Sequence, residues 1–204
     1  TGCEHRQLGV KGEQEFAGRG VSYCAVCDGA FFRNRKLLVV GGGDSAVEEA
    51  LFLTQFASEV VIVHRRDELR AQKIIQDRAF ANPKISFLWD SVVTEIKGNK
   101  MSMTGAVIEN VRTKEIHEEE AGGIFIYVGL DPLTEAFKDT GITNEDGWII
   151  TDTQMRTSVP GVYAVGDVRE KELRQVTTAV GDGSIAGQQV FQFIEEQKDP
   201  KTTV

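Results

Sequence analysis

The run Leu37-Leu38-Val39-Val40, followed at once by Gly41-Gly42-Gly43-Asp44-Ser45-Ala46, restricts this chain to few folds. Four consecutive aliphatic residues offer no polar face, so as a strand they are buried on both sides, as in a parallel sheet. The glycines end the strand, and Ala46, Val47, Ala50, Leu51 and Thr54 then recur at helical spacing to about Phe56. Strand, glycine turn and helix in direct succession open a βαβ unit, whose crossover is right-handed.

The next residues continue the pattern. Val60-Val61-Ile62-Val63 reads as a second buried strand ending in His64-Arg65-Arg66, and Asp67 as the N-cap of a helix to about Phe80. Asn82-Pro83 stops that helix, and residues 85–89 form a third strand. Residues 92–97, 101–112 and 114–119 are half-polar and imply an antiparallel meander with a turn at Gly98-Asn99. Residues 124–128 return as a buried strand closed by Gly129. The expectation is an α/β domain over residues 7–131, a Rossmann-like parallel sheet with an antiparallel β-meander. Beyond it lie a short helix at 132–139, strands at 148–151 and 162–165, and a helix over 176–194 with Val176, Val180, Ala186, Val190 and Phe193 on one side. These elements bury too little apolar surface for an independent core. Residues 1–6 and 132–204 are therefore assigned to part of a second domain, with a loose tail over 198–204.

Charge narrows function. With 31 acids against 23 Lys and Arg, the net charge of −8 argues against a general nucleic-acid or anionic-membrane binder. No apolar run approaches the ~20 residues of a membrane span, and no basic-then-apolar leader opens the chain. The start at Thr1-Gly2-Cys3, without Met, reads as cut from something longer. Three cysteines do not make a secreted disulfide framework, which points to the cytoplasm.

Gly41-x-Gly43-x-x-Ala46 fits the dinucleotide-binding fingerprint: a glycine for the turn, a glycine for close backbone approach to pyrophosphate, and a small residue for helix–strand packing. The free N–H groups at the helix start, over Gly42, Gly43, Asp44 and Ser45, suit phosphate. Val128 and Gly129, closing the last strand, are counted with this site. An NAD-specific site places an acid at the end of the second strand. Here stand His64, Arg65 and Arg66, with Arg70 expected in the first turn of the next helix. Guanidinium groups grip a 2′-phosphate through paired hydrogen bonds, which favours NADPH over NADH. The plainer alternative is a solvated basic surface.

Cys24-Ala25-Val26-Cys27-Asp28 carries the remaining chemistry. Three readings stand. Zinc would need further ligands from Cys3, His5, His64 or His117. A buried inert pair is a second. The favoured reading is a redox dithiol beside a pyridine-nucleotide site, in which one thiolate attacks a disulfide and the other resolves it, with Asp28 supplying a proton. Hydride does not pass readily to a disulfide, so a flavin is expected between them. The flavin-like feature is the strand 162–165 ending in Gly166-Asp167.

Together, residues 20–29, 41–46, 64–71 and 166–168, with Arg174-Gln175-Val176, resemble the bacterial low-molecular-weight thioredoxin reductases. That resemblance implies an NADPH- and FAD-dependent homodimer that reduces the disulfide of thioredoxin, its nucleotide domain rotating against its flavin domain. It implies that Cys24 and Cys27 form the redox disulfide, with Cys27 next to the flavin, Cys24 attacking thioredoxin and Asp28 as proton donor. The glycine turn with Arg65, Arg66 and Arg70 would bind NADPH. Gly166, Asp167, Arg174, Gln175 and Val176 would contact FAD. The family carries a further glycine turn for the FAD pyrophosphate that this sequence lacks. The expectation is therefore a chain that binds NADPH but has little reductase activity alone. The alternatives are the NADH-preferring flavoprotein reductase of alkyl-hydroperoxide systems, which the Arg65, Arg66 pair disfavours, and a non-catalytic nucleotide-binding fragment.

Overall fold

The aliphatic run at 37–40 lies mid-sheet, with a strand bonded on each side. The computed structural model describes residues 1–198. In chain order its elements are β1 (Cys3–His5), β2 (Val21–Ser22), α1 (Ala25–Asp28), β3 (Lys36–Val40), α2 (Asp44–Leu53), β4 (Glu59–Val63), α3 (Lys73–Phe80), β5 (Ile85–Leu88), β6 (Ser91–Gly98), β7 (Met103–Asn110), β8 (Ile116–Glu120), β9 (Gly123–Ile126), β10 (Leu130–Pro132) and α4 (Val176–Lys198). They divide into two compact units, His5–Gly129 and Thr1–Glu4 with the residues from Leu130 onward.

In the first unit the strands run β2-β9-β3-β4-β5, every pair parallel. The registers Leu37↔Val60 and Leu37↔Gly123 put like faces together. Strand side chains alternate between faces, so the aliphatic run feeds two cores. Leu37, Val39, Val60, Ile62 and Phe125 pack under α2 and α3 against Val47, Leu53 and Ile75. Leu38, Val40, Val61, Val63, Ile124 and Ile126 pack on the other side against Val93, Ile96, Met103 and Ile108. Those last residues belong to the antiparallel sheet β6-β7-β8. Its first turn is closed by the Asn99 side chain, whose Oδ1 accepts the N–H groups of Met101 and Ser102. A buried Leu in such a core contributes roughly 2 kcal/mol by area.

One helix starts later than the sequence suggests. α3 begins at Lys73, not after Asp67. The Asp67 carboxylate is drawn to Arg112, whose Nη2 donates to it at 2.6 Å, so it caps nothing. Residues 65–72 instead form a loop whose backbone bonds reach another element: the N–H groups of Arg70 and Ala71 donate to the Gly42 carbonyl at 2.7 and 3.2 Å.

The second unit has a small core of Ile142, Ile149, Ala164 and Val168, with Phe137 against it. The expected helix at 132–139 is a single 3₁₀ turn, Glu135–Phe137. The expected strands at 148–151 and 162–165 make only isolated bridges, Ile149 to Thr143 and Arg169, and Tyr163 to Arg156. Glycines with positive φ at 147, 161 and 166 flank these runs and keep them short. α4 forms as expected, but its buried residues are Asp182, Ala186 and Gln189, while Val176 and Val180 are exposed. The helix is fastened by charge. The Asp182 carboxylate accepts the Gly166 N–H at 3.0 Å and pairs with Lys171 at 2.8 Å and Arg169 at 2.9 Å. Burial pushes this carboxyl's pKa up, but the bonds from Lys171, Arg169 and Gly166 outweigh it and hold it below the ordinary range. The expected tail lies, beyond Lys198, outside the described residues.

Candidate functional site

The glycine turn sits at the C-terminal end of the parallel sheet, where ligands of such sheets bind. Gly41 has φ of +148°, and a Cβ there would stand 2.5 Å from the Tyr127 carbonyl oxygen and 2.7 Å from the Ala46 methyl. A Cβ at Gly42 would meet the His64 ring at 2.4 Å, whereas at Gly43 nothing lies within 4 Å. The turn is thus closed from below and open toward the start of α2. Asp44 and Ser45 in that first turn are exposed. Asp44 Oδ1 accepts the Gln72 N–H at 2.6 Å and so fixes the far end of the loop 65–72.

His64 is the buried member of this site. Its backbone is held in the sheet by an N–H bond to the Leu88 carbonyl at 2.9 Å, and its ring meets Trp89 edge-on, with centroids 6.5 Å apart. Burial, then the charges of Arg70, Arg66 and Arg65, push its pKa down against an opposing bond to the Glu68 backbone, so the imidazole is neutral at pH 7. Its Nε2 is buried and has no partner. Arg65, Arg66 and Arg70 are exposed, and among the described residues none of them is ion-paired. Buried Leu69 anchors their loop. Arg70 is therefore placed by its backbone bond to Gly42 rather than by a helix. Val128 and Gly129 lie exposed just past β9. Tyr127 N–H donates to the Val40 carbonyl at 2.8 Å, which brings them beside the turn.

Cys24 and Cys27 are joined as a disulfide, with Cα atoms 5.3 Å apart. Neither sulfur is then a thiolate ligand, and no cluster of three or more His, Cys, Asp and Glu occurs among the described residues. Cys27 is exposed and Cys24 half-buried. The motif starts α1: the Cys27 N–H points at Cys24 Sγ, 3.1 Å away. Asp28 turns back toward the strand before it. Its Oδ2 accepts the Ser22 hydroxyl at 2.7 Å, and Ser22 Oγ accepts the Cys24 N–H at 3.1 Å. Sequence reasoning missed Ser22, and it missed Tyr127, whose hydroxyl accepts the Ala25 N–H at 2.7 Å. The only trace of Tyr127 in the sequence is a phenol at the end of an otherwise apolar strand.

In the second unit Gly166, with φ of +77°, begins the 3₁₀ turn Gly166–Val168. Asp167 has a buried Oδ1 without a partner, a polar atom set for a hydroxyl donor such as a ribityl or ribose group. Arg174 Nε donates to the Asp167 carbonyl at 3.2 Å, and its guanidinium stacks on Trp148 at 3.8 Å. Gln175 precedes α4, its N–H donating to Thr178 Oγ1 at 3.2 Å, and Val176 begins that helix with its side chain exposed. These four residues and Gly166 thus share one unit, and the dithiol and glycine turn share the other.

The family model described as "Pyridine nucleotide-disulphide oxidoreductase" matches residues 1–183. A thioredoxin reductase of Listeria monocytogenes is 57% identical over 199 residues, covering 98% of this chain and 62% of the relative. That of Bacillus subtilis is 53% identical over 204 residues, covering 100% of this chain and 65% of the relative. The crystal structure of thioredoxin reductase from Streptococcus pyogenes superposes with a TM-score of 0.91 at 63% identity, covering 96% of this chain and 64% of that one. The chain thus spans less than two thirds of the length of the relatives it matches. Parallel sheet, glycine turn and Cys24–Cys27 disulfide agree with these matches, and the chain belongs to the pyridine nucleotide-disulphide oxidoreductase family.

Proposed function

We propose that this chain supplies the NADPH site and the redox dithiol of a thioredoxin-disulfide reductase, and that the unit from Leu130 onward contributes residues to its FAD site. The observation that carries the reading is the bond from Arg70 N–H to the Gly42 carbonyl at 2.7 Å. It fixes the loop of three guanidinium groups to the turn that approaches pyrophosphate, so that a 2′-phosphate and a pyrophosphate are recognised by one rigid piece. His64, buried and neutral, does not compete with the arginines for phosphate.

FAD, when bound, supplies the two-electron exchange between hydride and disulfide. The chain's own residues do the rest. Reduction breaks the Cys24–Cys27 bond and leaves two sulfurs that share one proton. Cys24 as thiolate attacks the disulfide of thioredoxin, forming a mixed disulfide and expelling one thioredoxin thiolate, to which Asp28 passes the proton it takes from Cys27. Cys27, now a thiolate, then attacks Cys24, the Cys24–Cys27 bond re-forms, and the second thioredoxin sulfur leaves as a thiolate that takes its proton from solvent. Ser22, donating to Asp28 Oδ2, aims the carboxyl at this exchange.

The thioredoxin partner and a homodimer are proposed for the longer protein. The cytoplasm is proposed because a disulfide that must open and close suits a reducing compartment. Among the described residues, no helix is long and apolar enough to cross a membrane. Titration of this chain with NADPH and NADH by calorimetry tests the nucleotide assignment. NADPH is expected to bind at least ten-fold tighter. Equal affinities would move the reading to the NADH-preferring reductases of peroxide systems.

A further inference from the structure

We propose that Tyr127 is a positioning residue for the dithiol, holding the start of α1 in place so that Cys24 and Cys27 stay within bonding reach when the disulfide is open. The inference rests on the reading of Cys24 and Cys27 as a redox pair.

α1 is one turn long, four residues from Ala25 to Asp28. So short a helix is not stable by itself, because the first turn fixes several dihedrals for one hydrogen bond. In the oxidised chain the disulfide clamps it. Once the sulfur–sulfur bond breaks, the turn depends on bonds to its surroundings; besides the Ser22–Asp28 bond at its end, two hold its start. On one side Ser22 Oγ accepts the Cys24 N–H at 3.1 Å. On the other the Tyr127 hydroxyl accepts the Ala25 N–H at 2.7 Å.

Tyr127 is the more rigid anchor. It follows directly on β9, an interior strand of the parallel sheet bonded to β2 and β3. Its N–H is held by the Val40 carbonyl, and its own carbonyl lies against Gly41. Ala25 is fully buried, so water does not replace the phenol as acceptor while the turn is in place. The phenol also keeps its proton. Burial first, then the Glu49 and Asp28 carboxylates, push its pKa up against the opposing bond from Ala25. It therefore satisfies the N–H without setting a negative charge beneath a developing thiolate, as a carboxylate in that place would.

The consequence is directional. Without the hydroxyl, the oxidised chain keeps α1 clamped around a buried, unsatisfied N–H, whereas the reduced chain relaxes and hydrates it. Loss of the anchor also lowers the effective concentration of one thiol at the other. Both effects favour the open dithiol.

The test is equilibration of the chain with mixtures of reduced and oxidised glutathione, followed by acid quench, alkylation and intact mass. In the exchange, the Cys24–Cys27 bond breaks, two glutathione sulfurs join, and their two protons pass to the cysteines. Tyr127→Phe is expected to shift the equilibrium constant about three- to ten-fold toward the dithiol, the range for one lost hydrogen bond. Tyr23→Phe is the control, because its hydroxyl bonds to Glu13 at 2.8 Å and not to α1. It is expected to stay within two-fold of wild type. A Tyr127→Phe shift below two-fold, or an equal shift in Tyr23→Phe, overturns the proposal. Hydrogen exchange in the wild-type chain gives a test that needs no variant. The Ala25 amide is expected to stay protected after reduction, and exchange at the rate of a free peptide overturns the proposal. If the wild-type cysteines fail to equilibrate with glutathione at all, the redox reading falls and this proposal with it.

Discussion

Gly42 is the position where a single methyl group tests the close contact between the turn and the His64 ring. A Cβ there would lie 2.4 Å from two atoms of the His64 ring and 2.6 Å from a third. Real carbon contacts do not come that close, so something must move. The ring has little room: His64 is buried, its backbone is bonded in the sheet, and Trp89 stands beside it. The turn is equally constrained, since the Gly42 carbonyl accepts two N–H groups from the arginine loop. Overpacking of a well-filled site costs about 1–3 kcal/mol. For a chain of this size each kcal/mol corresponds to a Tm shift of roughly 2–4 °C. Gly42→Ala is therefore expected to lower Tm by about 2–12 °C, with the loop displaced and NADPH binding weakened together.

The decisive measurement is a double-mutant cycle. His64→Ala removes the ring and leaves space for the methyl. If the clash is the cause, Gly42→Ala costs little in the His64→Ala background, and the coupling exceeds about 1 kcal/mol. Urea denaturation of the four proteins supplies the numbers. The same cost in both backgrounds would refute the steric argument and leave the glycine needed for close approach of a ligand instead.

Other outcomes are expected elsewhere. Replacing Arg65 and Arg66 by Ala should weaken NADPH more than NADH, by roughly 2–4 kcal/mol for two charge-assisted contacts; equal losses measured by calorimetry would contradict a 2′-phosphate site. Because the folded pKa of Asp182 lies below its ordinary 3.8, the carboxylate stabilises α4 above that pH, and the contribution is lost as pH falls through the depressed value. Acid titration followed by circular dichroism should show helix loss setting in below about pH 4, and Asp182→Asn should be less stable at pH 7 by roughly 1–3 kcal/mol while losing that acid sensitivity. Leu38→Ala, which empties a fully buried site facing the antiparallel sheet, should cost about 2–5 kcal/mol in urea denaturation.

What could be read from the sequence was local and periodic. Leu37–Val40 declared a strand with two apolar faces, and the structure gives each face its own core. The loop 65–72 shows where that reading stops. Asp67-Glu68-Leu69-Arg70-Ala71 has helical composition and a plausible cap, but bonds from Arg70 and Ala71 to Gly42, and from Gln72 to Asp44, hold the segment open. Those partners lie 28 residues or so upstream, beyond any window of periodicity. The same holds for the Ala25–Tyr127 bond, which spans 102 residues. In α4 the apolar pattern pointed to Val176 and Val180, whereas the buried positions follow the charge on Asp182, because three donors converge there.

The sheet edge explains why these long-range contacts cluster at the site. Parallel strands end together on one side, so β3 delivers the glycine turn and β4 the arginines, while β9 delivers Tyr127 to the same edge. Tyr127 then belongs to both halves of the chemistry. Its carbonyl occupies the space that forces glycine at 41, and its hydroxyl holds the start of the dithiol helix. The glycine turn and the Cys24–Cys27 disulfide are therefore not independent features on a common scaffold. A substitution at Gly41 must push the Tyr127 backbone, since a Cβ would lie 2.5 Å from its oxygen. Gly41→Ala should accordingly move the thiol–disulfide equilibrium as well as nucleotide affinity, whereas Gly43→Ala, with nothing within 4 Å, should leave that equilibrium unchanged. Glutathione equilibration of the two variants separates the cases, and an equal response from both would mean that the coupling does not run through Tyr127.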